Sequence, residues 1–149
     1  MTVKYAELAT KVIKHFGSQK NWNKLTGQCR LLEAQKDRVK VEFDVDDQMT
    51  NLTNNLHGGC TASLVDMITT VAILTHDSNK HAGVSVNLNV TYTRAAKLGE
   101  TVVVDAFVEK RGKSLAFTRA NLYRKSDNKS IAFAEHVKAF SPHAPPTIE

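Results

Sequence analysis

The second half of the chain is dominated by positions that alternate between apolar and polar side chains. In residues 84–92 every second residue is apolar: Val84, Val86, Leu88, Val90 and Tyr92. A period of two predicts a half-buried β-strand. Similar patterns and turn residues predict further strands at 28–34, 39–45, 101–109, 115–124 and 130–140. Hairpin turns are expected at 35–37, 111–113 and 125–129, so these strands should form one long antiparallel sheet.

Two segments have helical patterns instead. Residues 3–16 carry an apolar stripe with a spacing near 3.6, and Gly17 ends it. Residues 58–75 carry a single charge, Asp66, and are apolar almost all the way round a helix, which is typical of a helix at the centre of a protein. The predicted fold class is α+β, with an antiparallel sheet wrapped around one central buried helix and an extra N-terminal helix. Residues 18–26 are expected to be a polar linker, and residues 48–56 a loop.

Length and composition set the wider limits. The 149 residues, 42% of them hydrophobic, suit one domain, predicted at 1–141 with a frayed tail at 142–149. No transmembrane segment and no secretory signal is expected. The two cysteines form no disulfide framework, so we expect an intracellular protein, in the cytoplasm, the mitochondrion or both. The long sheet edge and the apolar residues of the outer face predict self-association.

The net charge of +5 lies entirely in the second half of the chain. Residues 1–79 hold nine Lys and Arg and nine Asp and Glu, whereas residues 80–149 hold eleven and six. Such an excess suits an anionic ligand, although a solvated strand face would also account for it. Basic and aromatic residues do not interleave as they do in RNA-binding proteins, so no nucleic-acid partner is expected.

Asp66 and the start of its helix are the candidates for chemistry. A lone carboxylate in a neutral helix is costly unless donors surround it or it faces solvent, and Thr69 and Thr70 form a small polar notch beside it. The segment His57–Gly59 precedes the apolar run. Backbone N–H groups at a helix N-terminus favour a developing negative charge, and glycine allows close approach, although a plain helix cap would have the same sequence.

The spacing of Gly58 and Asp66 limits how they can act together. Gly58 and Asp66 are eight residues apart, about 12 Å along a helix axis, and an aspartate side chain reaches only a few Å. If both take part in one reaction, they must come from two chains. The sequence therefore predicts a composite site at a two-fold dimer interface.

Other chemistries have weaker support. No G-x-S-x-G nucleophile elbow and no glycine-rich phosphate loop is present. Cys60 could act as a nucleophile, but His57 at the same helix end has no evident orienting partner. The histidines lack metal-ligand spacing, so neither a metal nor a cofactor is expected.

Several short motifs occur in one order: Asn51, His57–Gly59, Leu64–Asp66, Gly83–Val86, Ala96–Glu100 and Gly112–Phe117. Over residues 3–140 this order and spacing resemble the hotdog-fold acyl-coenzyme A thioesterases. The resemblance implies hydrolysis of fatty acyl-CoA to a free acid and coenzyme A. It also implies a homodimer that pairs into a dimer-of-dimers tetramer.

The resemblance also implies residue roles. The Gly58 amide and the Asn51 side chain would polarise the thioester carbonyl. Asp66 of the other chain would activate water as general base, with Ser85 holding the water, or, as a minority mechanism, would attack as a nucleophile. His57 would line the pocket, and His136 would assist the leaving thiolate.

Two basic segments match family segments that contact coenzyme A, and Ser85 belongs to the same expected binding set. The candidate contacts are Tyr92, Thr93, Arg94, Ala95, Ala96, Lys97, Lys110, Arg111, Gly112, Lys113, Ser114 and Leu115. Ala95–Ala96 replaces a proline that many relatives have. Enoyl-thioester hydration and non-catalytic acyl-CoA binding remain the alternative functions.

Overall fold

The computed structural model describes residues 3–76, 81–141 and 146–147. Two α-helices and six β-strands follow one another in the predicted order. They are α1 (Val3–Gly17), β1 (Arg30–Gln35), β2 (Arg38–Asp44), α2 (Gly58–Leu74), β3 (Val84–Tyr92), β4 (Thr101–Arg111), β5 (Leu115–Arg124) and β6 (Ser130–Ala139). The predicted element pattern is therefore confirmed over the described residues.

The six strands form one antiparallel sheet in the order β1-β2-β4-β5-β6-β3. The strand β3 precedes β4 in the chain but pairs with β6, so it lies at the far edge of the sheet. Only one side of β3 is hydrogen bonded, and Val84 and Val86 are 69% and 60% exposed. An exposed edge of this length is a surface on which another strand can pair.

The helix α2 packs against one face of the sheet. Its apolar residues from Leu64 to Leu74 are buried against inward-facing residues of β2, β4 and β5, and α1 covers one side of it. Each fully buried aliphatic side chain stabilises the fold by about 1.5–3 kcal/mol. Because nearly all faces of α2 are covered, the position of Asp66 on this helix is tightly determined.

Two segments differ from the sequence-based expectation. The expected linker at 18–26 contains the start of a 3₁₀ helix, Trp22–Gln28, which Asn21 caps by accepting a hydrogen bond from the Asn23 N–H. The expected loop at 48–56 begins with a 3₁₀ turn, Asp47–Met49, whose Met49 side chain is buried. Both segments are polar in sequence, but each buries one residue against the core. Each segment is therefore packed against the rest of the protein.

The strand β4 is two residues longer than expected. A β-bulge between Val108 and Lys110 shifts the register, so pairing with β5 continues to Arg111. The tail expected at 142–149 lies outside the described residues apart from residues 146–147, and the domain boundary at residue 141 stays a prediction.

Candidate active site

Asp66 is the centre of a polar cluster between α2 and the sheet. Its Oδ1 lies 3.2 Å from Ser85 Oγ, which donates a hydrogen bond to it. The same oxygen lies 3.5 Å from His136 Nε2 and 3.7 Å from Lys138 Nζ. From the described residues, Oδ2 receives no hydrogen bond, and the side chain is 41% exposed. The carboxylate is thus held through one oxygen, and the side chain remains partly open to solvent.

The strand pattern explains why these groups meet. On β6 the residues Ala132, Ala134, His136 and Lys138 alternate inward and are buried. Ser85 of β3 pairs in register with Lys138. The adjacent strands β3 and β6 therefore place these side chains next to one another beneath α2, although 19 residues separate Ser85 from Asp66.

His136 is fully buried and hydrogen bonded on both ring nitrogens. Nδ1 lies 2.7 Å from Thr69 Oγ1, and Nε2 lies 2.9 Å from Ser85 Oγ. Burial lowers the pKa of His136 to about 4, so the ring is neutral at pH 7. Thr69 Oγ1 also lies 2.7 Å from the Val65 carbonyl oxygen, so its single hydrogen serves either that oxygen or Nδ1. When Ser85 donates to the Asp66 carboxylate, Nε2–H donates to Ser85 and Nδ1 is the ring nitrogen left to accept.

Lys138 has its ammonium group almost completely inside the protein. The residue is 5% exposed, and Nζ donates a 2.6 Å hydrogen bond to Thr70 Oγ1. Thr70 Oγ1 in turn donates to the Asp66 backbone carbonyl over 2.7 Å. Burial lowers the pKa of Lys138 below its ordinary value, and the nearby Asp66 opposes that shift. Lys138 was not among the predicted site residues, although its inward position in the β6 alternation is visible in the sequence.

A second group of predicted residues surrounds the N-terminus of α2. His57 is the N-cap residue, and its Nδ1 accepts a 2.9 Å hydrogen bond from the Gly59 N–H. Within the described part of the chain, the Gly58 N–H donates to no protein acceptor. Tyr92 Oη donates to the Gly58 carbonyl over 2.8 Å. An unpaired N–H at the positive end of a 17-residue helix can stabilise an oxyanion.

Asn51 is held by the loop that it begins. Its Oδ1 accepts hydrogen bonds from the Thr53 N–H, the Thr53 hydroxyl and the Asn55 N–H. With the carbonyl oxygen turned into the loop, the Nδ2 donors point the other way. The side chain can therefore donate to a ligand carbonyl.

These two groups lie at opposite ends of the sheet. Tyr92, which contacts Gly58, pairs with Ala132 at the start of β6, whereas Ser85 pairs with Lys138 near its end. The six residue steps between those β6 positions span about 20 Å. One chain therefore contains two half-sites, the Asp66 half-site (Asp66, Ser85, His136 and Lys138) and the Gly58 half-site (Asn51, His57, Gly58 and Tyr92), which it does not bring together.

The predicted coenzyme A segments divide in the same way. The segment 92–97 adjoins the Gly58 half-site, since the Leu56 N–H donates to the Ala96 carbonyl. The turn at 110–115 adjoins the Asp66 half-site, since Ala116 pairs with Lys138. One chain thus places these segments at opposite ends of the sheet.

Within the segment 92–97, several groups have protein partners. Arg94 Nη1 and the Thr93 hydroxyl both donate to the Ser130 carbonyl, and the Lys97 N–H donates to Glu100. Ala96 is 2% exposed, so its side chain belongs to the core. The exposed Ala95 and the exposed side chains of Arg94 and Lys97 are what this segment offers to a ligand.

In the segment 110–115, Lys110, Lys113, Ser114 and Leu115 are exposed. The Gly112 N–H closes the turn by donating to the Leu115 carbonyl. The Arg111 guanidinium stacks on the Phe140 ring at 3.6 Å from its centroid. The turn is therefore a basic surface in which one cation is held in place by an aromatic ring.

A groove of about 1000 Å³ opens beside the Gly58 half-site. Its walls come from the end of α1, the two 3₁₀ segments and the first turns of α2, and they include Trp22, Leu25, Met49, His57 and Cys60. Trp22 Nε1 donates to Ser63 Oγ, which ties this wall to α2. The mostly apolar groove begins next to the residues that could polarise a carbonyl.

Other possible chemistries find less support. Burial raises the pKa of the Cys60 thiol to about 11, so little thiolate is present near pH 7. In the described ranges no group of three or more His, Cys, Asp or Glu side chains is arranged to hold a metal ion. Nor is any described helix both long enough and apolar enough to span a bilayer.

Comparison with known proteins defines the class. A family model described as the thioesterase superfamily matches residues 53–131, more than half of the chain. The chain belongs to the thioesterase superfamily, and the hotdog fold expected from the sequence is confirmed, as is the enzyme class, a thioesterase.

Individual relatives show which members of the superfamily this chain resembles. Human acyl-coenzyme A thioesterase 13 is 42% identical over 128 residues, covering 86% of this chain and 91% of that protein. Zebrafish thioesterase superfamily member 2 superposes with a TM-score of 0.84 at 37% identity, covering 88% of this chain and 94% of the other. The mouse member 2 structure gives 0.83 at 35%, covering 95% and 100%. The expected resemblance is therefore confirmed.

Proposed function

We propose that this chain hydrolyses medium- or long-chain fatty acyl-CoA thioesters to a fatty acid and coenzyme A. The observation that carries the proposal is the Asp66 carboxylate, which accepts a hydrogen bond from Ser85 at Oδ1 while its side chain is 41% exposed. An oriented and accessible carboxylate can accept a proton from water as that water attacks a thioester carbon. The name of the human relative, an acyl-coenzyme A thioesterase, supports this substrate class.

The reacting site is completed by a second copy of the chain. Gly58 and Asn51 would donate to the thioester oxygen, while Asp66 of the other protomer activates water. The roughly 12 Å between Gly58 and Asp66 along α2 supports this arrangement, since neither residue reaches the other's substrate atom alone. The exposed edge of β3 offers a surface where two copies can join in antiparallel fashion, which would bring the opposite half-sites together.

The remaining residues have supporting roles. Ser85 holds Asp66 and the water. His136 orients Ser85, and a proton can pass from His136 towards the leaving thiolate. His57, whose Nδ1 caps the helix, lines the pocket. Enoyl hydration by a pair of Asp66 and His57 is disfavoured, because these two residues are nine positions apart along the same helix.

Substrate binding uses the features on either side of the carbonyl. The phosphates of coenzyme A suit the exposed cations Arg94, Lys97, Lys110 and Lys113. The acyl chain suits the apolar groove beside His57, whose volume of about 1000 Å³ is ample for a long chain. In the dimer proposed above, the two basic segments would come from different chains. Pairing of two dimers into a tetramer and a cytoplasmic or mitochondrial location also remain proposals.

The test measures release of free thiol from palmitoyl-CoA with a thiol reagent. We expect turnover by the unmodified protein and a loss of at least about a hundredfold in Asp66→Asn, with coenzyme A binding retained. Asp47→Asn changes an exposed aspartate of the 3₁₀ turn and should keep full activity. Binding of acyl-CoA without thiol release would instead identify a carrier, and a rate in Asp66→Asn equal to that of the control would remove Asp66 from the mechanism.

A further inference from the structure

Lys138 is the one lysine or arginine of the described residues that is classed as buried. Taking an ammonium group out of water costs several kcal/mol unless it is paired and hydrogen bonded. Here Nζ lies 2.6 Å from Thr70 Oγ1 and 3.7 Å from Asp66 Oδ1. The cation is therefore kept inside the protein by the same helix that carries the candidate general base.

The charged and titratable groups facing Asp66 come from β6 alone among the described elements. His136 is neutral at pH 7 because burial lowers its pKa, so it supplies a hydrogen bond network but no charge. Ser85 of β3 and Thr69 and Thr70 of α2 are uncharged. Lys138 is thus the cation that can balance the negative charge of Asp66.

All three side chains act on the same carboxylate oxygen. Ser85, His136 and Lys138 approach Oδ1, and Thr70 ties the Lys138 ammonium to the Asp66 backbone carbonyl. A quarter turn of the carboxylate about its Cβ–Cγ bond would lose these contacts, whereas a half turn restores them with the two equivalent oxygens exchanged. The arrangement therefore fixes the plane of the carboxylate and engages one oxygen at a time.

We propose that Lys138 is a positioning residue for the hydrolysis proposed above, whose ammonium group, anchored on Thr70, holds the Asp66 carboxylate with one oxygen towards the substrate. This inference rests on the proposed function. It assigns to Lys138 no contact with the substrate, since its effect passes through Asp66.

The test substitutes Lys138→Met, which keeps the length of the side chain and removes its charge. Asp66 is 41% exposed, so the variant buries no unpaired charge and should fold. Its kcat should fall by at least about tenfold with KM unchanged, because a misplaced carboxylate slows proton transfer without weakening substrate binding. Lys138→Arg, which keeps the positive charge, should recover part of that loss. Lys40→Met, which removes a half-buried cation from the outer sheet face beside Glu33 and Asp105, should leave kcat and KM unchanged.

A readout without turnover separates this inference from the proposed function. In a crystal structure of Lys138→Met the Asp66 side chain should occupy more than one rotamer, whereas the unmodified protein should show one. Absence of thiol release would overturn the proposed function, whereas a single Asp66 rotamer and an unchanged kcat in Lys138→Met would overturn the role of Lys138. If Lys138→Met does not fold, Thr70→Val decides: it should lower kcat in the same way but by less, and an unchanged kcat would overturn the proposal.

Discussion

Burial decides what each ionisable residue of the candidate site can do. Asp66 is about half exposed and can meet water, whereas His136 is fully buried between Thr69 and Ser85. A buried imidazole avoids the charged form, which lowers its pKa to about 4. His136 therefore works at neutral pH as a neutral hydrogen-bonding residue that orients Ser85.

The same burial makes the stability of the fold depend on pH. An unfolded histidine takes up a proton near pH 6.5, whereas His136 in the folded protein does so near pH 4. Stability is thus complete above pH 6.5 and falls as the pH drops towards 4, by roughly 3 kcal/mol. His136→Gln removes this group, so its urea midpoint should fall less between pH 7 and pH 4.5 than that of the unmodified protein. An equal fall in both proteins would contradict the prediction.

At the scale of elements, the position of β3 depends on how the strand begins. Gly83 precedes it with a φ of +69°, and a Cβ there would lie 2.7 Å from the Ala139 carbonyl oxygen. Only glycine combines this backbone conformation with such close contact. Ser85, the β3 residue that donates a hydrogen bond to Asp66, lies two residues after Gly83. The conformation of Gly83 therefore also fixes the position of Ser85.

A comparison of Gly83 with Gly99 separates the effect of a positive φ from the effect of a close backbone contact. Gly99 has a φ of +84°, but a Cβ there would meet no atom within 4 Å. Gly99→Ala should cost about 1 kcal/mol of unfolding free energy through backbone strain alone. Gly83→Ala should cost about 2–3 kcal/mol, because the Ala139 backbone must also move. Urea unfolding measures both, and equal losses would show that the contact is unimportant.

At the scale of the whole molecule, the strand order separates the two half-sites. The crossover that places β3 next to β6 puts Ser85 beside Lys138 and Tyr92 beside Gly58, at different ends of one edge strand. Because that edge is exposed, each protomer presents both half-sites along the surface that a second copy can cover. A two-fold axis there would produce two composite sites per dimer.

A mixed dimer tests the shared site. Gly58→Pro removes the candidate N–H donor, and proline is accepted at the first position of a helix, where the preceding His57 already has extended φ and ψ of −65° and 136°. Each of Gly58→Pro and Asp66→Ala should be inactive alone. Co-expressed, they should recover about a quarter of full activity, because half of the dimers are mixed and each has one intact site.

The control for this experiment is a mixture of the two proteins purified separately and assayed before subunits exchange. It should stay inactive. Activity that fails to return in isolated mixed dimers would mean that Gly58 and Asp66 do not share a site between chains.

Local pattern in the sequence was sufficient for much of this protein. Alternation and helical periodicity depend on neighbours in the chain, so six strands and both α-helices were predictable, as was the isolation of Asp66 in an apolar helix. The rise per residue of a helix was enough to predict that Gly58 and Asp66 can take part in one reaction only if they come from two chains. The bulge in β4 and the two 3₁₀ segments were not predictable, because each depends on packing against distant residues.

Only the tertiary structure decided what surrounds Asp66. Ser85 and Lys138 are 19 and 72 residues away in sequence, and they meet at Oδ1 because β3 crosses over to pair with β6. No local pattern specifies such a crossover, since the order of strands follows from how the complete sheet covers α2. The chain therefore determined by its own pattern which carboxylate stands alone, and the fold determined which side chains hold it and in what orientation.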